Sequence, residues 1–160
     1  MQLGVMHLDP FLRHIPSEAI PTQTSRKAKI GLATMYGTPT DRKWGGGRMA
    51  CAPAYRLRSI PTMNTCAHRT YKCGTILAIE NVRTKKRTLC RVLDRGPYGA
   101  LLADGTWVVK IKPTDPGVWR GIADLAPAVA AAIDHNGFER IRLWVVHVPA
   151  RPIRVNRVGV

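Results

Sequence analysis

Val92-Leu93-Asp94-Arg95-Gly96-Pro97-Tyr98 is an apolar run that ends on a carboxylate and turns back at once on Gly-Pro. Upstream of it, Thr75 to Val82 reads as one strand, Arg83-Thr84-Lys85-Lys86 as a basic turn, and Arg87 to Leu93 as a second strand, so the segment is a hairpin. Alternation puts Cys90, Val92 and Asp94 on one face and Leu89, Arg91 and Leu93 on the other, which brings Asp94 out at the end of the sheet. Two readings of this acid follow. It is either a general acid held at a strand end, or a turn aspartate that bonds nearby backbone amides or pairs with Arg95.

Working outward, Ile30 to Tyr36 reads as a first strand, broken at Gly37-Thr38-Pro39, and Trp44-Gly45-Gly46-Gly47 opens a long loop through Pro53 and Pro61. Trp107 to Ile111 is a further strand candidate and Arg140 to Val148 the last one. Between them lies one short helix. Pro127 suits its first turn, Leu125, Val129, Ala132 and Ile133 make its apolar stripe, and Asn136-Gly137 supplies a stop. Residues 1–28 carry Pro10, Pro16 and Pro21 without periodicity and read as an extended arm or linker; 149–160 form a basic tail around Arg151, Arg154 and Arg157. The folded unit is therefore expected over 29–148, mainly β, with no internal repeat.

The chain has 160 residues, enough for one well-buried core. Against 25 Lys and Arg it has only 10 Asp and Glu, a formal charge of +15, so it is attracted to polyanions: nucleic acid, an anionic membrane face, or the carboxylate-bearing peptides and acidic polymers of a bacterial wall. The basic residues are spread along the chain and accompany no nucleic-acid module, so nucleic acid is not the favoured partner. No apolar run approaches the roughly 18 to 20 residues of a membrane span. Met1 to Ile15 is interrupted by His7, Asp9, Pro10, Arg13 and His14, unlike a secretory signal, so synthesis in the cytoplasm without self-export is expected. Cys51, Cys66, Cys73 and Cys90 lack the paired spacing of a zinc site, and neither metal nor cofactor is expected. Their even number permits one or two disulfides, with Cys66 to Cys73 the shortest loop, whereas the lack of an export signal favours buried free thiols; spacing does not settle the pairing.

Four ordered blocks carry a resemblance. Gly31-Leu32-Ala33-Thr34-Met35-Tyr36-Gly37, Cys66-Ala67-His68-Arg69-Thr70 with Gly74-Thr75, Asp94-Arg95-Gly96-Pro97-Tyr98, and Ile122-Ala123-Asp124-Leu125-Ala126 are together similar to the double-psi β-barrel of the rare lipoprotein A family. More distantly they resemble expansins, barwin and family 45 endoglucanases. The resemblance covers about Ile30 to Val148 and implies a six-stranded double-psi β-barrel with one short helix and extended N- and C-terminal arms.

It also implies peptidoglycan as partner and cleavage of its glycan strands by a lytic transglycosylase reaction. Asp94 matches the family's catalytic acid and His68 an active-site histidine; Asp124 stands beside them, with helix N-capping as its plain structural role. Tyr36, Arg48, Arg69, Thr70, Arg95 and Tyr98 are the expected substrate contacts. Arg48 stands where the family carries a glutamate, which keeps open an alternative: a non-enzymatic structural or adaptor barrel that holds glycan or a partner chain. The basic arms and the missing signal fit a bacteriophage virion or tail component carried to the cell envelope, its arms wrapping other virion subunits.

Overall fold

The computed structural model describes residue 20 and residues 27–35, 48–56, 63–96, 100–101, 107–108 and 121–154. In chain order the elements are β1 (Lys29–Met35), β2 (Arg48–Met49), β3 (Ala52–Arg56), β4 (Thr65–Ala67), β5 (Ile76–Asn81), β6 (Arg87–Asp94), β7 (Ala100–Leu101), β8 (Trp107–Val108), β9 (Ala123–Leu125), α1 (Pro127–Ala132) and β10 (Phe138–His147). Six of these strands close into a barrel in the order β1-β10-β5-β6-β4-β9; β2-β3 and β7-β8 are small separate hairpins. The expected barrel with one short helix is thus present.

The closure has a hidden symmetry. β1 and β9 run parallel, as do β4 and β6, while the other neighbours are antiparallel. Exchanging β1, β4 and β5 for β6, β9 and β10 maps the strand order and every strand direction onto itself. The two halves of the described barrel are therefore topologically equivalent, although no repeat is visible in the sequence.

Alternation on β5, β6 and β10 follows the strand period. Leu77, Ile79, Cys90, Val92, Ile141 and Leu143 point into the main core, while Ile76, Ala78, Leu89 and Trp144 form a second apolar cluster. Ile20, 2% exposed, joins that second cluster, and its carbonyl accepts from Arg87 Nη1 at 3.5 Å. Leu93 departs from the expected alternation: it lies in the main core, not with Leu89. The cause is a register shift, because Cys66 pairs with Val92 but Ala67 pairs with Asp94, which leaves Leu93 as an extra residue on β6.

Three further expectations change. The segment read as one long loop from Trp44 contains the β2-β3 hairpin, tied down where the Cys51 amide donates to Leu93 O at 2.9 Å. All four cysteines are bridged, Cys51 to Cys73 and Cys66 to Cys90, so the free-thiol expectation is overturned. Leu125 belongs to β9, and α1 stops at Ala132, ahead of Asn136-Gly137. Its terminal carbonyls are satisfied by Asn81 at the end of β5 and by side chains of the turn that follows. Ile133 O accepts from Asn81 Nδ2 at 3.0 Å and Thr84 Oγ1 at 2.8 Å, Asp134 O accepts from Arg83 Nη2 at 2.9 Å, and Asp134 turns to φ +52°. Among the described residues no helix is long and apolar enough to cross a membrane.

Candidate active site

Asp94 closes β6 as the pairing partner of Ala67 in β4. Ala67 pairs on its other side with Asp124 of β9, and Asp124 pairs with Thr34 of β1. Asp94, Ala67, Asp124 and Thr34 therefore lie in one row across four neighbouring strands. With about 4.8 Å between strands, the two acids' Cα atoms are about 10 Å apart. Residues 27 positions from one another in the chain, such as His68 and Arg95, join this row through the turns that follow β4 and β6.

The half-buried Asp94 accepts at Oδ1 from the Ala50 amide at 2.9 Å. That amide is placed by the Cys51–Cys73 disulfide, which fastens the β2-β3 turn to the end of the His68 loop. Burial pushes the Asp94 carboxyl above the ordinary value of 3.8; the amides of Ala50 and Arg95 and the Arg95 charge oppose this and do not overcome it. Desolvation thus outweighs the Arg95 charge at this acid.

His68 follows β4 and is 1% exposed. Its Nδ1 accepts from the amides of Thr70 and Tyr71, each at 3.2 Å, so the neutral ring carries its proton on Nε2. Burial first, then the charges of Lys29 and Arg95, lower its pKa to about 4. Its backbone amide donates to Asp94 O at 3.2 Å, and its ring stacks on Tyr71 with centroids 3.8 Å apart. The Lys29 ammonium stands 5.2 Å from the Tyr71 ring centre on the cation–π pattern.

Arg95, expected to contact substrate, directs its guanidinium at the His68 turn. Nη1 donates to His68 O at 3.1 Å and to Tyr71 O, and Nη2 reaches Cys73 Sγ at 3.4 Å. The following Gly96 adopts φ +145°, a conformation that a side chain would strain, which lets the chain leave β6 sharply. Gly74, at φ +93°, ends the His68 turn in the same way, and its amide donates to Val92 O at 2.7 Å. The sequence signal for both was present as the Arg-Gly-Pro and Cys-Gly-Thr punctuation.

Asp124 is half-buried and accepts at Oδ1 from Thr34 Oγ1 at 2.9 Å. Its expected capping role is not found: the N-cap of α1 is Ala126, without a side-chain cap bond, and Asp124 sits inside β9. Arg69 is half-buried and Thr70 exposed on the His68 turn. Arg48 is placed by its backbone in β2, opposite Arg56. Tyr36 and Tyr98 lie outside the described residues. The contributions missed in the sequence are those of Ala50, Tyr71 and Lys29, which touch the site only through the hairpin, the stacking and the start of β1. Among the described residues no group of three or more His, Cys, Asp or Glu is placed to hold a metal ion.

The described residues thus form a closed six-stranded barrel with two parallel contacts, a raised carboxyl at the end of β6 and a buried histidine on the turn after β4. Over 81 residues the chain is 28% identical to the endolytic peptidoglycan transglycosylase RlpA of Pasteurella multocida, a stretch that is 48% of this chain and 25% of that protein. The match thus spans a quarter of the relative's length. No protein-family model matches the chain.

Proposed function

We propose that this chain binds peptidoglycan and cleaves its glycan strands by a lytic transglycosylase reaction at Asp94. The observation that carries this reading is the Asp94 carboxyl, raised by burial, at the barrel end beside His68. A carboxyl whose burial favours its protonated form can give that proton to the glycosidic oxygen as the bond to the leaving sugar breaks. The resulting carboxylate then takes the proton of the remaining sugar's own 6-hydroxyl. That oxygen closes onto the anomeric carbon, and a 1,6-anhydro ring forms without water.

The other residues position this acid. His68 is neutral and accepts from its own turn, so it shapes the loop beside Asp94 and is not the proton donor at neutral pH. Arg95 braces the same turn from below. A retaining hydrolase pair needs carboxyls about 5 to 5.5 Å apart, whereas Asp124 stands two strands away and is bonded toward Thr34. This argues against a retaining pair; an inverting pair, with carboxyls about 6.5 to 9.5 Å apart, is separated from the one-acid reaction by its products.

Digestion of purified sacculi followed by mass analysis tests the reaction. Muropeptides ending in 1,6-anhydro-muramic acid are the expected products, and reducing ends would assign Asp124 as a second, water-activating carboxylate. A second reading is favoured by the Ala50 amide on Asp94, the bond expected of a structural turn aspartate. On it the barrel is an adaptor that holds glycan or a partner chain, and sacculi sediment the protein yet stay intact. The two disulfides support a place of work outside the reducing cytoplasm, in the cell envelope. Delivery there as a phage virion or tail component is checked by mass spectrometry of purified particles.

A further inference from the structure

The two disulfides differ in what surrounds them. Cys66 and Cys90 are fully buried, and their bridge ties β4 to β6 inside the main core. Cys51 is 1% exposed, but its partner Cys73 is half-buried, and Arg95 Nη2 reaches the Cys73 sulfur at 3.4 Å. Thiol exchange needs an attacking thiolate to reach a sulfur, and a guanidinium beside that sulfur favours its thiolate form. Cys73 meets both conditions.

The two sides of this bridge are held to the barrel unequally. On the Cys73 side, Cys73 O accepts from the Ile153 amide at 3.0 Å and the Gly74 amide donates to Val92 O at 2.7 Å. Gly74 leaves room for Ile153, since a Cβ there would stand 2.5 Å from Ile153 Cγ1. None of these contacts involves Cys51. On the other side the bridge fastens the β2-β3 hairpin, whose Cys51 amide donates to Leu93 O and whose Ala50 amide donates to Asp94 Oδ1, both at 2.9 Å. Met49 and Ala52 are fully buried in the main core, so a released Cys51 thiol stays within reach of Cys73 for reclosure.

We infer that Cys51–Cys73 is a redox switch on the Asp94 site, an assignment that rests on the proposed function for the reaction it controls. Closed, the bridge holds the Ala50 amide on the acid; open, it lets the hairpin shift and takes that fixed partner away. In opening, a thiolate of the surrounding thiol pool attacks Cys73 Sγ, forms a mixed disulfide there and expels the Cys51 thiolate, which takes up a proton. A second thiolate then attacks the pool-derived sulfur of the mixed disulfide and releases the Cys73 thiolate beside Arg95. The bridge is reduced as a pair of small thiols is oxidised to a disulfide, and a disulfide of the same class closes the bridge by the reverse steps. Cleavage is thereby confined to an oxidising compartment, while the buried core bridge stays closed against the same thiols.

The test equilibrates the full chain in buffers graded from oxidised to reduced glutathione, labels free thiols with iodoacetamide and locates them by peptide mass spectrometry. Amide hydrogen exchange and release of muropeptides from sacculi are measured in each buffer. Cys51 and Cys73 are expected to open while Cys66 and Cys90 stay bridged, and the Ala50 and Cys51 amides should then lose protection while the Gly74 amide keeps it. Cleavage should fall on the order of a hundredfold and return on reoxidation. The inference is overturned if no buffer opens Cys51–Cys73 ahead of Cys66–Cys90, or if opening exposes Gly74 along with the hairpin, which is unfolding. Unchanged cleavage by the opened form overturns it as well and leaves the proposed function standing. An oxidised chain that leaves sacculi intact, yet whose hairpin still loosens reversibly on reduction, overturns the proposed function and leaves the redox device in place.

Discussion

Removing the Cys51–Cys73 disulfide separates a stabilising effect from an electrostatic one. The two bridges close loops of similar length, with sequence separations of 22 and 24 residues. Chain entropy then predicts about 3.4 kcal/mol from each. With a urea dependence of about 1.5 kcal/mol per molar, the variant Cys51→Ala/Cys73→Ala should unfold about 2 M urea earlier. Cys66→Ala/Cys90→Ala should lose somewhat more, because both sulfurs are fully buried in the core and their removal also leaves a cavity. Only the first pair fastens the turn whose Ala50 amide bonds Asp94. That amide favours the ionised carboxyl, so freeing it should raise the Asp94 pKa further, whereas loss of the core bridge should not. Urea melts followed by circular dichroism give the stabilities, and carbon NMR of the labelled Asp94 carboxyl gives the titration. If Cys51→Ala/Cys73→Ala leaves the Asp94 titration where it was, the hairpin does not hold this acid and the reasoning fails.

Asp94→Asn should abolish release of anhydro-muropeptides while sacculus binding and Tm stay close to those of the unsubstituted chain; cleavage at an unchanged rate would refute the acid assignment. Stability should fall with acid through His68: its folded pKa of about 4 lies below its ordinary 6.5, so the unfolded chain takes up the proton first. The contribution, about 3 kcal/mol at most, is present above pH 6.5 and lost as pH falls toward 4, and His68→Gln should flatten that part of a Tm-against-pH curve. Gly74→Val should destabilise by about 1 to 3 kcal/mol, since it strains a backbone at φ +93° and strikes Ile153, and calorimetry measures it. Arg95→Lys keeps the charge but loses the forked donation to His68 O, Tyr71 O and Cys73, so it should lower cleavage and expose the His68 turn to hydrogen exchange.

Much of this was legible in the order of residues, and for a local reason. Strand periodicity and turn residues act over a few positions, so β1, the β5-β6 hairpin and β10 were visible, as were the acid at the end of β6 and the histidine block. The hairpin at 48–56 was not, because Pro53 and the surrounding glycines read as loop, and what orders it is a bond from Cys51 to Leu93 and a bridge to Cys73. Cysteine spacing left the pairing open, since pairing depends on which strands meet. The bulge that sends Leu93 inward likewise arises from the pairing of β4 with β6 and not from either strand alone.

The site divides in the same way. The sequence by itself determined which residues could do chemistry: one acid where an apolar strand stops, a histidine before a glycine turn, and Asp124 before the helix. Only the tertiary structure decided their states. It raised the Asp94 carboxyl by burial, against a charge count that argued for the reverse, because desolvation depends on what covers a group and not on the total charge of the chain. It turned Arg95 toward the His68 loop, gave Asp124 to Thr34, and laid the C-terminal segment over Gly74. Each of these joins positions far apart in the chain, where no pattern along the sequence reports which groups will touch.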